Sequence, residues 1–223
     1  MKMSWNMWTK TAGAAMLLAS VATVANAQQL PTVGGPSSQR KVKEIVIAGE
    51  NPALNLLDKE NGNPVTAIWF WRAQWSPVGA GAICYVTVKA GGDSDMRVAI
   101  TDNEKLVDYT TKMGGVPGQG GAYTILKGTI TQTNSGNDRT ETCKSDKYTV
   151  VATWKDLQTP TWNPEFKIGK DVVQNFVMVK AGGAEVTING KKAPGIFDPK
   201  ATSPFKGAFL TVNETWKRLE PAE

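Results

Sequence analysis

Apolar and polar residues alternate along most of the chain beyond residue 42. Tyr148, Val150, Ala152 and Trp154 fall on one face of an extended segment, and Thr149, Val151, Thr153 and Lys155 on the other. That pattern is a half-solvated antiparallel strand with one face on a core. Cys84, Val86 and Val88 alternate in the same way with Tyr85, Thr87 and Lys89. Short runs rich in β-branched and aromatic residues recur at 42–47, 66–71, 83–89, 96–101, 123–131, 147–154, 172–180, 185–188 and 208–212, with Gly, Pro, Asn or Asp between them. The spacing predicts an all-β fold, an antiparallel β-sandwich or related barrel, as a single domain over residues 42–223. One short helix is expected after Asn51-Pro52. Asn caps free amides, Pro suits the first helical position, and Leu54, Leu56 and Leu57 supply a turn that ends at Asn61-Gly62.

The turns carry two further signals. Asn189-Gly190 has the residues a type I′ hairpin wants, because both central positions need positive φ. Val86-Thr87-Val88-Lys89-Ala90-Gly91-Gly92 recurs as Val177-Met178-Val179-Lys180-Ala181-Gly182-Gly183, with six of the seven residues alike. The echo reads as a repeated hairpin, strand to Ala-Gly-Gly turn to strand, near residues 85–100 and 176–188. Either a duplicated unit of about 90 residues produced it, or two hairpins of one sheet reached the same turn.

The beginning of the chain reads as an export signal. Lys2 and Lys10 precede an uncharged apolar run over residues 12–25, and Ala25-Asn26-Ala27 is a small-x-small cleavage site that leaves Gln28 first. The run is shorter than the ~20 residues that span a bilayer, and Gln at position 28, where a lipoprotein has Cys, argues against a lipid anchor. A bacterial-type signal peptide over residues 1–27 places the mature chain in the periplasm or outside the cell, and no later stretch is apolar enough to be a transmembrane segment. Residues 28–41, with Pro31, Gly34-Gly35 and Pro36, read as a flexible leader. In an oxidising compartment Cys84 and Cys143 are expected to form a disulfide. Closing a loop of about 60 residues contributes roughly 4 kcal/mol on the chain-entropy account.

Composition removes several functions. The formal charge is +5, and cleavage after Ala27 takes away two lysines and no acid, with no basic block left behind. A nucleic-acid partner is therefore not expected. The chain has no histidine, which excludes Ser-His-Asp and Cys-His nucleophiles and the usual zinc hydrolase sites. The glycine-rich segment 114–121 lacks the Gly-Lys-Ser/Thr ending of a phosphate loop and reads as a surface loop. The oxygen-rich segments 58–63 and 93–95 lack EF-hand spacing and read as solvated turns. No metal and no other cofactor is expected.

Six tryptophans follow residue 27, and three lie in Ile68-Trp69-Phe70-Trp71-Arg72-Ala73-Gln74-Trp75. Trp69 and Trp71 share one strand face, and Ile68 and Phe70 the other. One face can be core and the other a platform on which sugar rings stack, with Arg72 and Gln74 bonding hydroxyls and Trp75 at the end. The competing reading is a strand buried on both sides. Trp162, between Pro160 and Pro164, reads as an exposed loop tryptophan. The leading expectation is an exported, non-catalytic binding module that engages a glycan (a carbohydrate-binding role), an envelope component or another extracellular protein through aromatics and loops. The first alternative is a structural or assembly subunit, adhesin- or fibre-like, whose leader adds a strand to a neighbour. The second is a carboxylate-based hydrolase, which needs two acids converging in a cleft; Glu141, Asp156, Glu165 and Asp171 are among the acids that could serve.

Overall fold

The computed structural model describes residues 40–91, 95–113, 122–168, 171–201 and 206–221. The export signal with its cleavage site, leader residues 28–39 and the glycine-rich segment 114–121 lie outside the described residues. The elements in chain order are β1 (Val42–Glu50), β2 (Ala53–Leu57), β3 (Pro64–Trp75), β4 (Gly81–Val88), β5 (Met96–Thr101), α1 (Glu104–Lys112), β6 (Thr124–Ser135), β7 (Asp138–Ser145), β8 (Thr149–Leu157), β9 (Thr161–Lys167), β10 (Val172–Ile188), β11 (Lys191–Lys192) and β12 (Ala208–Leu219). The protein is thus nearly all β, as the alternation predicts. Among the described residues no helix is long and apolar enough to cross a membrane.

Strand pairing runs in a closed circuit from β1 through β12, β10, β8, β7, β6, β5, β4 and β3 back to β1. Of the two expected all-β architectures, the circuit is that of the barrel. Its pairs are antiparallel except β5–β6, which is parallel because the connection between those strands carries α1. Two strands of the circuit change partners along their length. β6 pairs with β5 before Gly128 and with β7 from Gly128 onward. β10 pairs with β12 up to Lys180 and with β8 from Ala181. A Cβ on Gly128 would run into the Lys144 carbonyl, and one on Gly182 into the Asp156 carboxylate. Glycine lets each strand change partners at this close approach.

The second change of partners corrects the reading of the internal echo. The first copy is the expected hairpin, β4 to β5, with Gly91 at φ 96°. The second copy has no turn. Ala181-Gly182-Gly183 stays extended inside β10, because Ala181 pairs with Leu157 and Gly183 with Lys155 of β8. Nearly the same heptapeptide turns in the first copy and stays a strand in the second, where β8 pairs with it. The Asn189-Gly190 turn is as expected: both residues have positive φ, 50° and 76°, and join β10 to β11.

The expected helix is also corrected. Residues 53–57 form β2, all five buried, wedged between β12 and β3. Ladders on both edges override the local capping signal of Asn51-Pro52. The helix of the protein is α1. Asn103 is its N-cap residue, Glu104 and Lys112 sit at the ends that suit the helix dipole, and Leu106, Val107 and Thr110 are buried.

Two cores result. Inside the barrel, Ile68, Phe70, Val86, Ile100, Val150, Trp154, Val186 and Leu210 pack together. On the outer surface, Leu106 and Val107 of α1 belong to a second cluster with Trp71, Ile83, Tyr85, Ala99 and Trp216. The Tyr85 hydroxyl bonds that of Thr110 at 2.7 Å, tying the helix to β4.

Candidate functional site

The strand alternation that fills the barrel with apolar side chains switches to charge at one end. On β3 the inward series Ile68, Phe70 continues as Arg72 and Gln74. On β7 the inward series Cys143 continues as Glu141 and Arg139, all buried. Glu50, the last residue of β1, pairs in register with Arg72. Gln132 of β6 pairs with Glu141.

These groups form one network across the interior. Arg72 Nε donates to Glu141 Oε1 at 3.2 Å, and Arg72 Nη2 donates to the other carboxylate oxygen. Arg139 donates to the same Glu141 Oε1 through Nε at 3.0 Å and Nη2 at 2.6 Å, and Nη2 also reaches Glu50 Oε2 at 2.6 Å. Glu141 is completely buried, Arg139 nearly so, and Arg72 and Glu50 are partly exposed. Burial works to lower the Arg72 guanidinium, but the hydrogen bond and field of Glu141, helped by Glu50, hold it above its ordinary value. Two cations and two anions alternate, so every charge faces an opposite one.

Outside this layer lies an open cavity of about 400 Å³, lined in part by Glu50, Arg72, Gln74, Asp102 and Gln132. The Asp102 carboxylate is held by the amide of Ala82, at 2.7 Å. The lining is a set of hydrogen-bond donors and acceptors on a rigid, neutralised floor. Such a surface can orient a polar ligand.

The residues singled out by sequence divide between this site and the rest of the molecule. Arg72 and Gln74 meet at the cavity. Trp71, offered as a platform, is only 1% exposed and packs edge-on against Trp216 at 5.5 Å. It is core, in one cluster with Trp216, Val46, Ile47 and Ile83. Trp69 is half-buried against Phe209. Trp75 is 47% exposed at the end of β3. Trp162 is 44% exposed, yet it lies in strand β9 and not in a loop, paired with Val177. Trp75 is on β3 and Trp162 on β9, strands that do not pair with each other. Cys84 and Cys143 are both buried with free thiols.

Sequence reading passed over Glu50, Gln132 and Arg139, and counted Glu141 only as one acid among several. The available signal was the period of two in Arg139-Thr140-Glu141-Thr142-Cys143. The carboxyl that burial raises, to about 7, is Glu214. It sits among Thr211, Trp216 and Asn51 and does not line the cavity. Among the described residues no group of three or more His, Cys, Asp or Glu side chains is placed to hold a metal ion.

No protein-family model matches the sequence, and no curated protein matches it. Among solved structures an acetoacetate decarboxylase is similar to this chain. It shares 9% identity at a TM-score of 0.38, over 84% of this chain and 92% of that one.

Proposed function

We propose that the protein is an exported, non-catalytic binding module that takes a polar ligand, a glycan fragment or other envelope component, at the open charged end of the barrel. The supporting observation is the cavity of about 400 Å³ walled by Glu50, Arg72, Gln74, Asp102 and Gln132 above the buried Arg–Glu layer. The side-chain amides, two carboxylates and a guanidinium of that lining match the paired donors and acceptors of vicinal hydroxyls. The reading moves the site from a tryptophan face to the barrel mouth, and keeps Arg72 and Gln74 in it. Trp75, one residue beyond Gln74 and half exposed, is a native fluorescence reporter of that rim.

The test is calorimetric titration with peptidoglycan and polysaccharide fragments, checked by Trp75 fluorescence. Gln74→Ala and Gln132→Ala are each expected to weaken binding about fivefold to tenfold, the loss of a hydrogen bond of about 1 kcal/mol. Tight binding that neither substitution changes would place the ligand elsewhere. No binding to any fragment would end the glycan reading.

One observation favours an assembly role as the second reading. Among the described residues β9 pairs only with β10, and it carries Trp162 and Phe166, 44% and 55% exposed. An edge of this kind can accept a strand from a neighbour. It predicts oligomers that disappear on deletion of residues 28–41 or with Trp162→Asp. A monomer in every form rejects it.

A further inference from the structure

Cys84 and Cys143 come from strands that are not neighbours. β5 and β6 lie between β4 and β7 in the sheet, so any contact between the two side chains crosses the barrel interior. Cys84 is level with Phe70 and Ile100, and Cys143 with Ile130 and Val150. Both belong to the same apolar cluster and both are wholly shielded from solvent. Arg72 reaches Glu141 across the interior, so the next inward positions on those two strands, Phe70 and Cys143, share the layer beneath, with Cys84 beside Phe70. Both thiols therefore stand in one dry layer of the core, just beneath the charged one.

Three chemistries suit a pair of close thiols, and two fail here. A metal site needs further ligands, and among the described residues no such group exists. A nucleophile needs a thiolate and a path to substrate. Burial, then Cys84 and Glu141, push the Cys143 thiol well up against the opposing effect of Arg72, and nothing reaches it from solvent. The third chemistry is oxidation of the pair.

We propose that Cys84 and Cys143 are joined by a disulfide that spans the barrel interior, formed while the chain folds and sealed inside when the barrel closes. The two thiols give up two protons and two electrons to an external disulfide, either glutathione disulfide or a thiol oxidase, which leaves as two thiols. Attack needs a thiolate, so the step belongs to the open, solvated chain, before burial raises the Cys143 thiol. The bond sets the two sulfurs about 2 Å apart. It ties β4 to β7, and β7 carries Arg139 and Glu141. The wall that presents half of the charged layer is thereby fixed to the wall opposite. In the cell the bond rests on the export reading, because a reducing cytosol would keep the thiols free.

The experiment is refolding of the protein in a mixture of reduced and oxidised glutathione. Alkylation in denaturant, digestion and mass spectrometry follow, all without added reductant. A cross-linked peptide containing Cys84 and Cys143, with neither cysteine alkylated, is expected. Dithiothreitol should leave the link intact for hours in native buffer and break it within minutes in urea. Two alkylated cysteines after oxidative refolding, or a link that native protein loses as fast as unfolded protein, would overturn the proposal. These readouts use the wild-type chain, so they stand even where Cys84→Ala or Cys143→Ala fails to fold. Protein that links in the refolding mixture but is recovered from cells with two free thiols would count against export and not against the pairing.

Discussion

Replacing Glu214 with Gln is expected to stabilise the protein above neutral pH and leave it nearly unchanged below pH 5. Glu214 is buried on β12, where the Thr211 hydroxyl and the Trp216 indole donate to its two carboxylate oxygens. Burial raises its pKa from 4.5 to about 7, against the pull of those donors and of Asn51. A carboxyl raised on folding binds its proton more tightly in the native state than in the unfolded chain. Stability is therefore full below pH 4.5 and falls as pH rises toward 7. Each pH unit across that window costs about 1.4 kcal/mol, or about 3 kcal/mol in all. The glutamine of the variant would offer an amide N–H in place of the carboxyl proton and cannot ionise. Urea unfolding of both proteins from pH 4.5 to 8.5, followed by tryptophan fluorescence, gives the difference directly. The assignment is clean because the chain has no histidine to titrate in the same range. A stability difference that does not change with pH would refute the reasoning.

Glu141→Ala leaves Arg72 and Arg139 sharing a buried site without their common carboxylate, and should cost about 3–5 kcal/mol in chemical denaturation; a cost under about 1 kcal/mol would mean that water enters and the layer is not dry. Gly49→Val puts a side chain into the Arg72 carbonyl, which should separate β1 from β3, displace Glu50 from Arg139 and cost about 1–3 kcal/mol. An unchanged thermal midpoint for that variant would show that β1 adjusts freely.

Much of the fold was legible because a strand records its environment every second residue. The alternation in β4 and β8 placed Cys84, Val150 and Trp154 inside the barrel, where they are. The Asn189-Gly190 turn was legible because its positive φ values restrict the residues that can stand there. What failed was non-local. Asn51-Pro52 opens a helix in isolation, but β2 has a ladder on each edge. The signal for α1 was present in Asn103-Glu104 and the spacing of Leu106, Val107 and Thr110, yet it competed with turn residues on both sides. Alternation put Trp69 and Trp71 together on one face of β3, but it could not say that Trp216 and Val46, from distant parts of the chain, bury the Trp71 end of that face. The charged layer was hidden for a related reason. Arg72 and Glu141 are 69 residues apart, and each is an ordinary surface residue until the barrel closes.

The placement of that layer bears on what it is for. Taking two guanidinium and two carboxylate groups out of water costs several kcal/mol per ion, and well-packed apolar side chains of the same volume commonly serve stability as well or better. Elsewhere the barrel interior uses apolar packing, with Phe70, Ile100 and Val150 one level below. Stability alone therefore does not explain charge at this one level. Two features of the network do. It borders the open cavity, and its members become more exposed from Glu141 and Arg139 outward to Arg72 and Glu50. A buried carboxylate that holds two guanidinium groups in place restricts the rotamers of the side chain that reaches the cavity, so Arg72 presents its remaining donors at a fixed position. Orientation of that kind reduces the entropy a ligand would otherwise lose with the protein on binding. The cost of the buried ions is thus offset at the surface they position, which is the surface we assign to the ligand.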